Sequence, residues 1–256
     1  MLLALDTGNT NTTASIFQEK SPEPLYTFRF STHDINNRDL IANEIMEVLK
    51  NREISIDNII KAGHVSVVPS LNEEYSMAIK KVFNIDLYQI NHQSNISFKV
   101  QYDNYRSLGL DRIVNIEAAI CESHESFIII DIGTAATFCT VIDKTFIGGM
   151  IAPGIGTTIK ALASVAEHLP VIEFKKPSHL IAQNSVEAIE SGFFYGWISL
   201  IEGLVSRISS ETGLNLPVLL TGGLGALIHN ELSFECIYDP HLTLRGIQYL
   251  YQKNNP

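Results

Sequence analysis

The chain has 256 residues, 45% of them apolar, and a formal net charge of −10. That length buries one large core or two modest ones, and about 150 residues per domain favours two. With no run of Lys or Arg, the acidic balance speaks against a nucleic-acid or anionic-membrane surface, which needs clustered cations to neutralise phosphate.

A strand-rich opening runs through Phe30. Its first apolar run ends in Asp6-Thr7-Gly8-Asn9-Thr10-Asn11-Thr12 and resumes as Thr13-Ala14-Ser15-Ile16-Phe17, so strand, tight turn, strand predicts a hairpin. Ile41, Ile45 and Val48 recur at helical spacing and predict a helix over Arg38 to Lys50. Ala62-Gly63-His64-Val65-Ser66-Val67-Val68 reads as a buried strand ended by Pro69. A helix from Leu71 to Val82 follows, then a short strand at Leu87-Tyr88-Gln89-Ile90, then a helix that starts near Asp111 and runs through Ile113, Ile116 and Ile120.

At Phe127 the theme repeats. The run Phe127-Ile128-Ile129-Ile130 enters Asp131-Ile132-Gly133-Thr134-Ala135-Ala136-Thr137 and leaves as Phe138-Cys139-Thr140-Val141-Ile142, a second hairpin tip sharing Asp, Gly and a closing Thr with the first. Gly148-Gly149-Met150-Ile151-Ala152-Pro153-Gly154 leads to a helix over Thr157 to His168, whose N-terminus suits phosphate. Val186, Ile189, Phe193, Trp197, Leu200, Leu204 and Ile208 predict a long amphipathic helix from Ser185 to Ser210. On it, Gly192 and Gly196 allow close approach of another helix, with packing inside the fold favoured over a dimer contact. A last strand, Pro217-Val218-Leu219-Leu220, runs into Thr221-Gly222-Gly223, and a helix near Leu242 follows.

Each tip combines a glycine that lets backbone N–H groups converge, Thr or Asn donors, and one carboxylate able to hold a hydrated cation. Those are the parts of a phosphate cradle. A single tip is an ordinary turn; two equivalent tips imply two related halves facing each other across a cleft that takes a nucleoside triphosphate. There is no GxxxxGK[ST], and neither Gly154-Ile155-Gly156 nor Gly223-Leu224-Gly225 gains the third glycine of a dinucleotide fingerprint. Zinc-protease spacing and a GxSxG elbow are absent too. Cys121, Cys139 and Cys236 are odd in number and without CxxC spacing, so neither a disulfide framework nor a zinc site is expected. No signal peptide is evident after Met1, and no apolar stretch nears the ~20 residues that span a bilayer. A cytoplasmic protein with neither nucleic-acid nor membrane partners is the expectation.

Five ordered motifs then coincide. Asp6-Thr7-Gly8-Asn9-Thr10, Gly109-Leu110-Asp111-Arg112, Asp131-x-Gly133-Thr134-Ala135-x-Thr137, Gly148-Gly149-x-Ile151-x-Pro153-Gly154 and Thr221-Gly222-Gly223 together resemble type III pantothenate kinase. Ser66-Val67-Val68-Pro69, Tyr102-Asp103-Asn104 and Asp239-Pro240-x-Leu242-Thr243-Leu244 extend the resemblance over essentially the whole chain.

The resemblance implies an α/β fold of the acetate and sugar kinase, Hsp70 and actin superfamily, with two ribonuclease-H-like domains of mixed five-stranded sheets and flanking helices. The two are expected at residues 1–115 and 116–256. It further implies ATP-dependent phosphorylation of pantothenate, the first step of coenzyme A synthesis, by a homodimer whose active site draws on both protomers. ATP would be held by Asp6, Thr7, Gly8, Asn9, Thr10, Asn11, Thr12 and Thr13, by Thr134, and near its adenosine by Thr221, Gly222 and Gly223. Mg2+ would accompany the nucleotide, and a monovalent cation, K+ or NH4+, would sit at Asp131. Pantothenate would meet Tyr102, Gly109, Leu110, Asp111, Arg112 and Ser185, with Asp111 accepting the proton of the primary hydroxyl.

Read from the residues alone, Asp111 suits a cap of the following helix rather better than a catalytic role, and Arg112 suits a structural ion pair as well as a substrate contact. The chain departs from the family pattern in four places. Cys139 stands where many members carry Asp, Leu110 where Ala is common, Ala136 where Thr or Ile is frequent, and Ser185 where Thr is usual.

Overall fold

The computed structural model describes every residue except Lys20, Glu167, His168 and Pro256. In chain order the elements are β1 (Leu2–Thr7), β2 (Asn11–Phe17), β3 (Pro24–Ser31), α1 (Arg38–Asn51), β4 (Lys61–Ser66), α2 (Asn72–Phe83), β5 (Tyr88–Gln89), β6 (Lys99–Val100) and α3 (Leu110–Cys121). There follow β7 (Phe127–Ile132), β8 (Ala135–Ile142), β9 (Thr145–Pro153), α4 (Ile155–Val165), α5 (Ser185–Thr212), β10 (Val218–Thr221), β11 (Cys236–Tyr238) and α6 (Leu242–Asn254). The expected end of α4 at His168 lies outside the described residues.

Met1–His124 and His241–Pro256 form one compact unit, and Glu125–Pro240 the other. In the first, five strands run in the order β3-β2-β1-β4-β5. β1 pairs antiparallel with β2 and parallel with β4. The second unit repeats the plan as β9-β8-β7-β10-β11, with β7 antiparallel to β8 and parallel to β10. Each central strand is covered on its faces, so it reads as a continuous apolar run rather than an alternating one.

Strand parity sorts the first unit's core. Leu3 and Leu5 face α1 and α2, meeting Ile41, Ile45, Leu49, Tyr75 and Ile79. Leu2 and Ala4 face the other way, clustering with Val65, Val114, Leu244, Ile247 and Leu250 of β4, α3 and α6. Gly246 permits the α3–α6 crossing, because a Cβ there would lie 2.1 Å from the Val114 carbonyl oxygen. Polar ties reinforce it: Arg245 Nε donates to Glu122 at 2.6 Å, and Thr243 Oγ1 to Asn115 Oδ1 at 2.7 Å. The fully buried Glu117 carboxylate accepts from Ser97 N and Oγ, both at 2.7 Å, and pairs with Lys253.

These contacts correct the expected boundary. A division after residue 115 would cut α3, which is buried continuously from Arg112 to Ile120, and α6 belongs with it rather than with residues 116–240.

In the second unit, Ile128, Ile130, Ile132 and Phe138 pack with Ile155 and Ile159 of α4 and with Phe194, Trp197, Ile198, Ile201, Val205 and Ile208 of α5. The buried stripe of α5 is thus offset from the expected one: Val186 and Leu200 are 44% and 36% exposed. A helix apolar on several sides offers the core more than one stripe, and periodicity alone does not choose between them. Packing inside the fold at Gly192 and Gly196 is also corrected, since a Cβ at either would meet nothing within 4 Å.

Gly246→Ala is expected to destabilise the protein by about 3 kcal/mol, because backbone rather than a movable side chain opposes the new methyl. Urea unfolding measures this, and an unchanged midpoint would show that α6 can shift away from α3.

Candidate active site

The first tip caps the β1–β2 hairpin. Thr7 and Thr12 are its last ladder pair, and Gly8 N donates to Asn11 O at 3.0 Å across the turn. A Cβ on Gly8 would press on that oxygen at 3.1 Å. Neighbouring backbone braces the tip, as Thr32 N donates to Thr10 O and Val67 N to Thr7 O, each at 3.0 Å. Asn9 and Thr10 are exposed, while Asp6, Gly8, Asn11 and Thr13 are half-buried.

Thr7 and Thr12 depart from expectation. Both are fully buried, so their hydroxyls are not available to a phosphate. Thr7 Oγ1 lies 3.0 Å from His64 Nε2, and Thr12 Oγ1 lies 2.6 Å from the Tyr75 hydroxyl. Burial pushes the His64 imidazole down to about 3, so it stays neutral at ordinary pH.

The second unit brings three motifs together. Asp131, one residue before the end of β7, is the ladder partner of Thr221 of β10. Gly133 N donates to Ala135 O at 3.0 Å, leaving Gly133 and Thr134 exposed at the tip. Gly154 N and Thr157 Oγ1 both donate to Thr134 O, at 2.9 and 2.7 Å. Only glycine fits at 154, because a Cβ would lie 2.1 Å from Gly133 O. Gly222 has φ +94°, and a Cβ there would lie 2.4 Å from Ile132 O. Thr221 itself is 2% exposed, so Gly222 and the exposed Gly223 are the accessible part of that motif. α4 starts at Gly154 with no side-chain cap and no acid in its first turn, leaving its first amides for an anion.

At the start of α3, Gly109 holds the cap position and Asp111 is the second helical residue. The carboxylate folds back over the helix start, since a Cβ on Gly109 would lie 2.4 Å from Asp111 Oδ1. Burial holds its pKa above the usual carboxylate range, against the opposing effects of the Arg112 and Asp111 amides and the Arg112 charge. Asp111 therefore engages first-turn amides as a cap would, while its desolvated oxygens remain good proton acceptors. Arg112 is 3% exposed, so its guanidinium lies inside the unit, where its charge acts on Asp111. Leu110 packs against the cluster that holds Val65 and Ile90, and Tyr102 is 40% exposed. Ser185 belongs to the second unit as the exposed first residue of α5, whose cap is Asn184 accepting from Glu187 N at 3.0 Å.

Among the described residues, no group of three or more His, Cys, Asp or Glu could hold a metal ion, and no helix is long and apolar enough to cross a membrane. The polar network at His64 was missed in sequence. Its one visible signal was an imidazole in the middle of an otherwise apolar strand.

The sequence profile of type III pantothenate kinase matches residues 2–207. A type III pantothenate kinase from Halalkalibacterium halodurans is 33% identical over 255 residues, covering 99% of this chain and all of that one. The chain belongs to the type III pantothenate kinase family.

Solved structures agree on the fold, and at their identities on the fold alone. A Campylobacter jejuni protein described as a candidate Baf family transcriptional activator superposes with TM-score 0.59 at 23% identity, over 98% of each chain. A ROK family glucokinase from Streptomyces griseus, solved with glucose and AMPPNP, gives 0.53 at 11% identity over 98% of this chain and 99% of its own. The α/β fold with two ribonuclease-H-like domains, and the activity, phosphorylation of pantothenate in coenzyme A biosynthesis, follow from these matches.

His64 also makes stability depend on pH. Its folded pKa is lowered from 6.5 to about 3, so on acidification the unfolded chain binds a proton that the native state refuses. Stability from this group is complete above the unfolded pKa and falls as pH drops toward the folded one, by about 1.4 kcal/mol per pH unit. Unfolding free energies between about pH 6.5 and pH 4 are expected to fall more steeply for the wild type than for His64→Gln. Parallel slopes would show that His64 is protonated in the native state.

Proposed function

We propose that this pantothenate kinase uses ATP as phosphoryl donor and Asp111 as the group that orients the pantothenate hydroxyl and takes up its proton. The observation that carries the assignment is the Asp111 carboxylate: desolvated, fastened to the first turn of α3, and raised in pKa by its burial. A strong base is not required. Phosphoryl transfer passes through a loose transition state, so alignment and charge neutralisation matter more than early proton removal. Arg112, buried beside Asp111, supplies positive charge to it. Gly109, Leu110, Tyr102 and Ser185 complete the proposed pantothenate set.

The glycine-bearing tips are the proposed receivers of the ATP phosphates. In the first, Asn9, Thr10 and the backbone from Gly8 to Asn11 are accessible, while Thr7 and Thr12 support them from beneath. In the second, Thr134, the start of α4 and Gly222-Gly223 offer donors and close backbone approach. Mg2+ fits this chain as an ion held by one carboxylate and the nucleotide's phosphates, since such sites do not need an all-protein cage. Asp6 is the carboxylate of the first tip. Asp131 is the proposed ligand of K+ or NH4+, which would neutralise phosphate charge. We assign the protein to the cytoplasm as a homodimer. The exposed Leu180, Ile181, Val186 and Leu200 of the second unit, together with the open glycines of α5, support a second copy as the partner.

Asp111→Asn is expected to cut turnover about 100-fold or more while the protein stays folded. The wild-type rate should fall on acidification with a midpoint above the ordinary 3.8, as Asp111 gains a proton. Removing a desolvated charge leaves stability at neutral pH equal or higher, because a raised carboxyl pKa means the charged form is the costly one. Wild-type turnover by the Asn variant would dismiss the proton acceptor.

A coupled ATP-consumption assay over a panel of alcohols, run in potassium and in sodium, tests the rest. Turnover with pantothenate should be faster in potassium, and Asp131→Asn should remove that preference.

A further inference from the structure

Beneath the first tip lies a closed set of side chains that no substrate reaches. Thr7, Thr12, Thr32, His64 and Tyr75 are each 3% exposed or less. They converge from β1, β2, the residue after β3, β4 and α2. Thr12 Oγ1 is the hub, 2.6 Å from the Tyr75 hydroxyl, 3.0 Å from Thr32 Oγ1 and 3.4 Å from Thr7 Oγ1. Thr7 Oγ1 is 3.0 Å from His64 Nε2, and the His64 ring stacks on Tyr75 with centroids 4.7 Å apart, closing the circuit.

At Thr12 the donors run one way. Thr12 has a single hydroxyl proton and gives it to Thr7, so it accepts from Tyr75 and Thr32. Thr7, already accepting, exchanges its second hydrogen bond with His64 Nε2, giving its proton when Nε2 is bare and accepting when Nε2 carries the hydrogen of the neutral imidazole. The chain Tyr75 to Thr12 to Thr7 to His64 therefore gives every one of these hydroxyls a partner, with the direction at Thr12 fixed by its bond to Thr7. Apolar residues of equal volume would pack the same space without directional demands. What the hydroxyls add is orientation, and they add it at Thr7 and Thr12, the ladder pair from which Gly8 to Asn11 hang.

The geometry points to Tyr75 and His64 as positioning residues: through Thr12 and Thr7 they set the backbone of the first tip, and with it the affinity for the phosphoryl donor. This rests on the reading that the first tip receives the ATP phosphates. It makes α2, an element with no exposed part in that tip, a determinant of nucleotide binding.

The test uses Tyr75→Phe and Thr12→Val, which keep buried volume and remove a hydroxyl, with Thr12→Ser as the variant that restores it and Asn9→Ala as a direct probe of the tip. KM for ATP, KM for pantothenate, kcat and the melting temperature are measured for each. We expect KM for ATP to rise about tenfold in Tyr75→Phe, the size of one buried hydrogen bond, and at least as much in Thr12→Val, which loses the hub, with KM for pantothenate within about twofold in both. The double variant should be no worse than Thr12→Val alone, because that change already removes the Tyr75–Thr12 bond along with those to Thr32 and Thr7. Thr12→Ser should return KM for ATP close to the wild-type value. If Asn9→Ala raises KM for ATP and the network variants do not, the positioning role is wrong and the tip reading stands. If none of the variants moves KM for ATP, the tip reading fails and the proposal with it. A fall in melting temperature with both KM values rising together would show a purely structural network and overturn the proposal.

Discussion

A central strand with an antiparallel neighbour on one side and a parallel neighbour on the other is the constraint on which the rest of this structure depends. The antiparallel partner obliges the chain to reverse within a few residues, at Gly8 in one unit and Gly133 in the other. The parallel partner arrives with its own C-terminal end alongside, so β4 delivers Ser66 opposite Thr7, and β10 delivers Thr221 opposite Asp131. Turn amides, a strand-end carboxylate and the exit of a parallel strand therefore gather at one end of the central strands of each sheet. Such an end suits an anion, because it concentrates backbone donors where no side chain blocks them.

The second unit shows how far glycine is obligatory in such an arrangement. Gly154 and Gly222 are each in van der Waals conflict with carbonyl oxygens of the β7 end if any side chain is added. Three segments that are distant in sequence thus meet backbone to backbone. The first unit reaches the same end differently, with a braced turn above a hydrogen-bonded interior. Two tips alike in sequence are held by unlike means.

Hairpins, helices and the paired tips were legible in sequence, because turn chemistry and apolar periodicity are local. The orientation of Thr7 and Thr12 was legible in principle, since Thr7 shares strand parity with Leu3 and Leu5 and must face α2 with them. The α5 face was not legible, because the helix carries apolar residues on more than one side and only the sheet selects among them. Nor was the boundary, because the attachment of α6 to α3 depends on Gly246 meeting Val114, a contact between residues far apart in the chain. The resemblance pointed to Asp111 and Arg112 but not to their burial, which depends on tertiary packing and not on local sequence.

The return of α6 to the first unit bears on the order in which the protein can be made. During synthesis, Glu125–Pro240 emerges with its own core complete. The earlier segment cannot finish: Val114 and its neighbours on α3 lack Leu244, Ile247 and Leu250 until residues beyond Leu242 leave the ribosome. The part of the chain translated first is thus the last to close, and a nascent protein halted before α6 presents an uncovered apolar helix to the chaperone machinery.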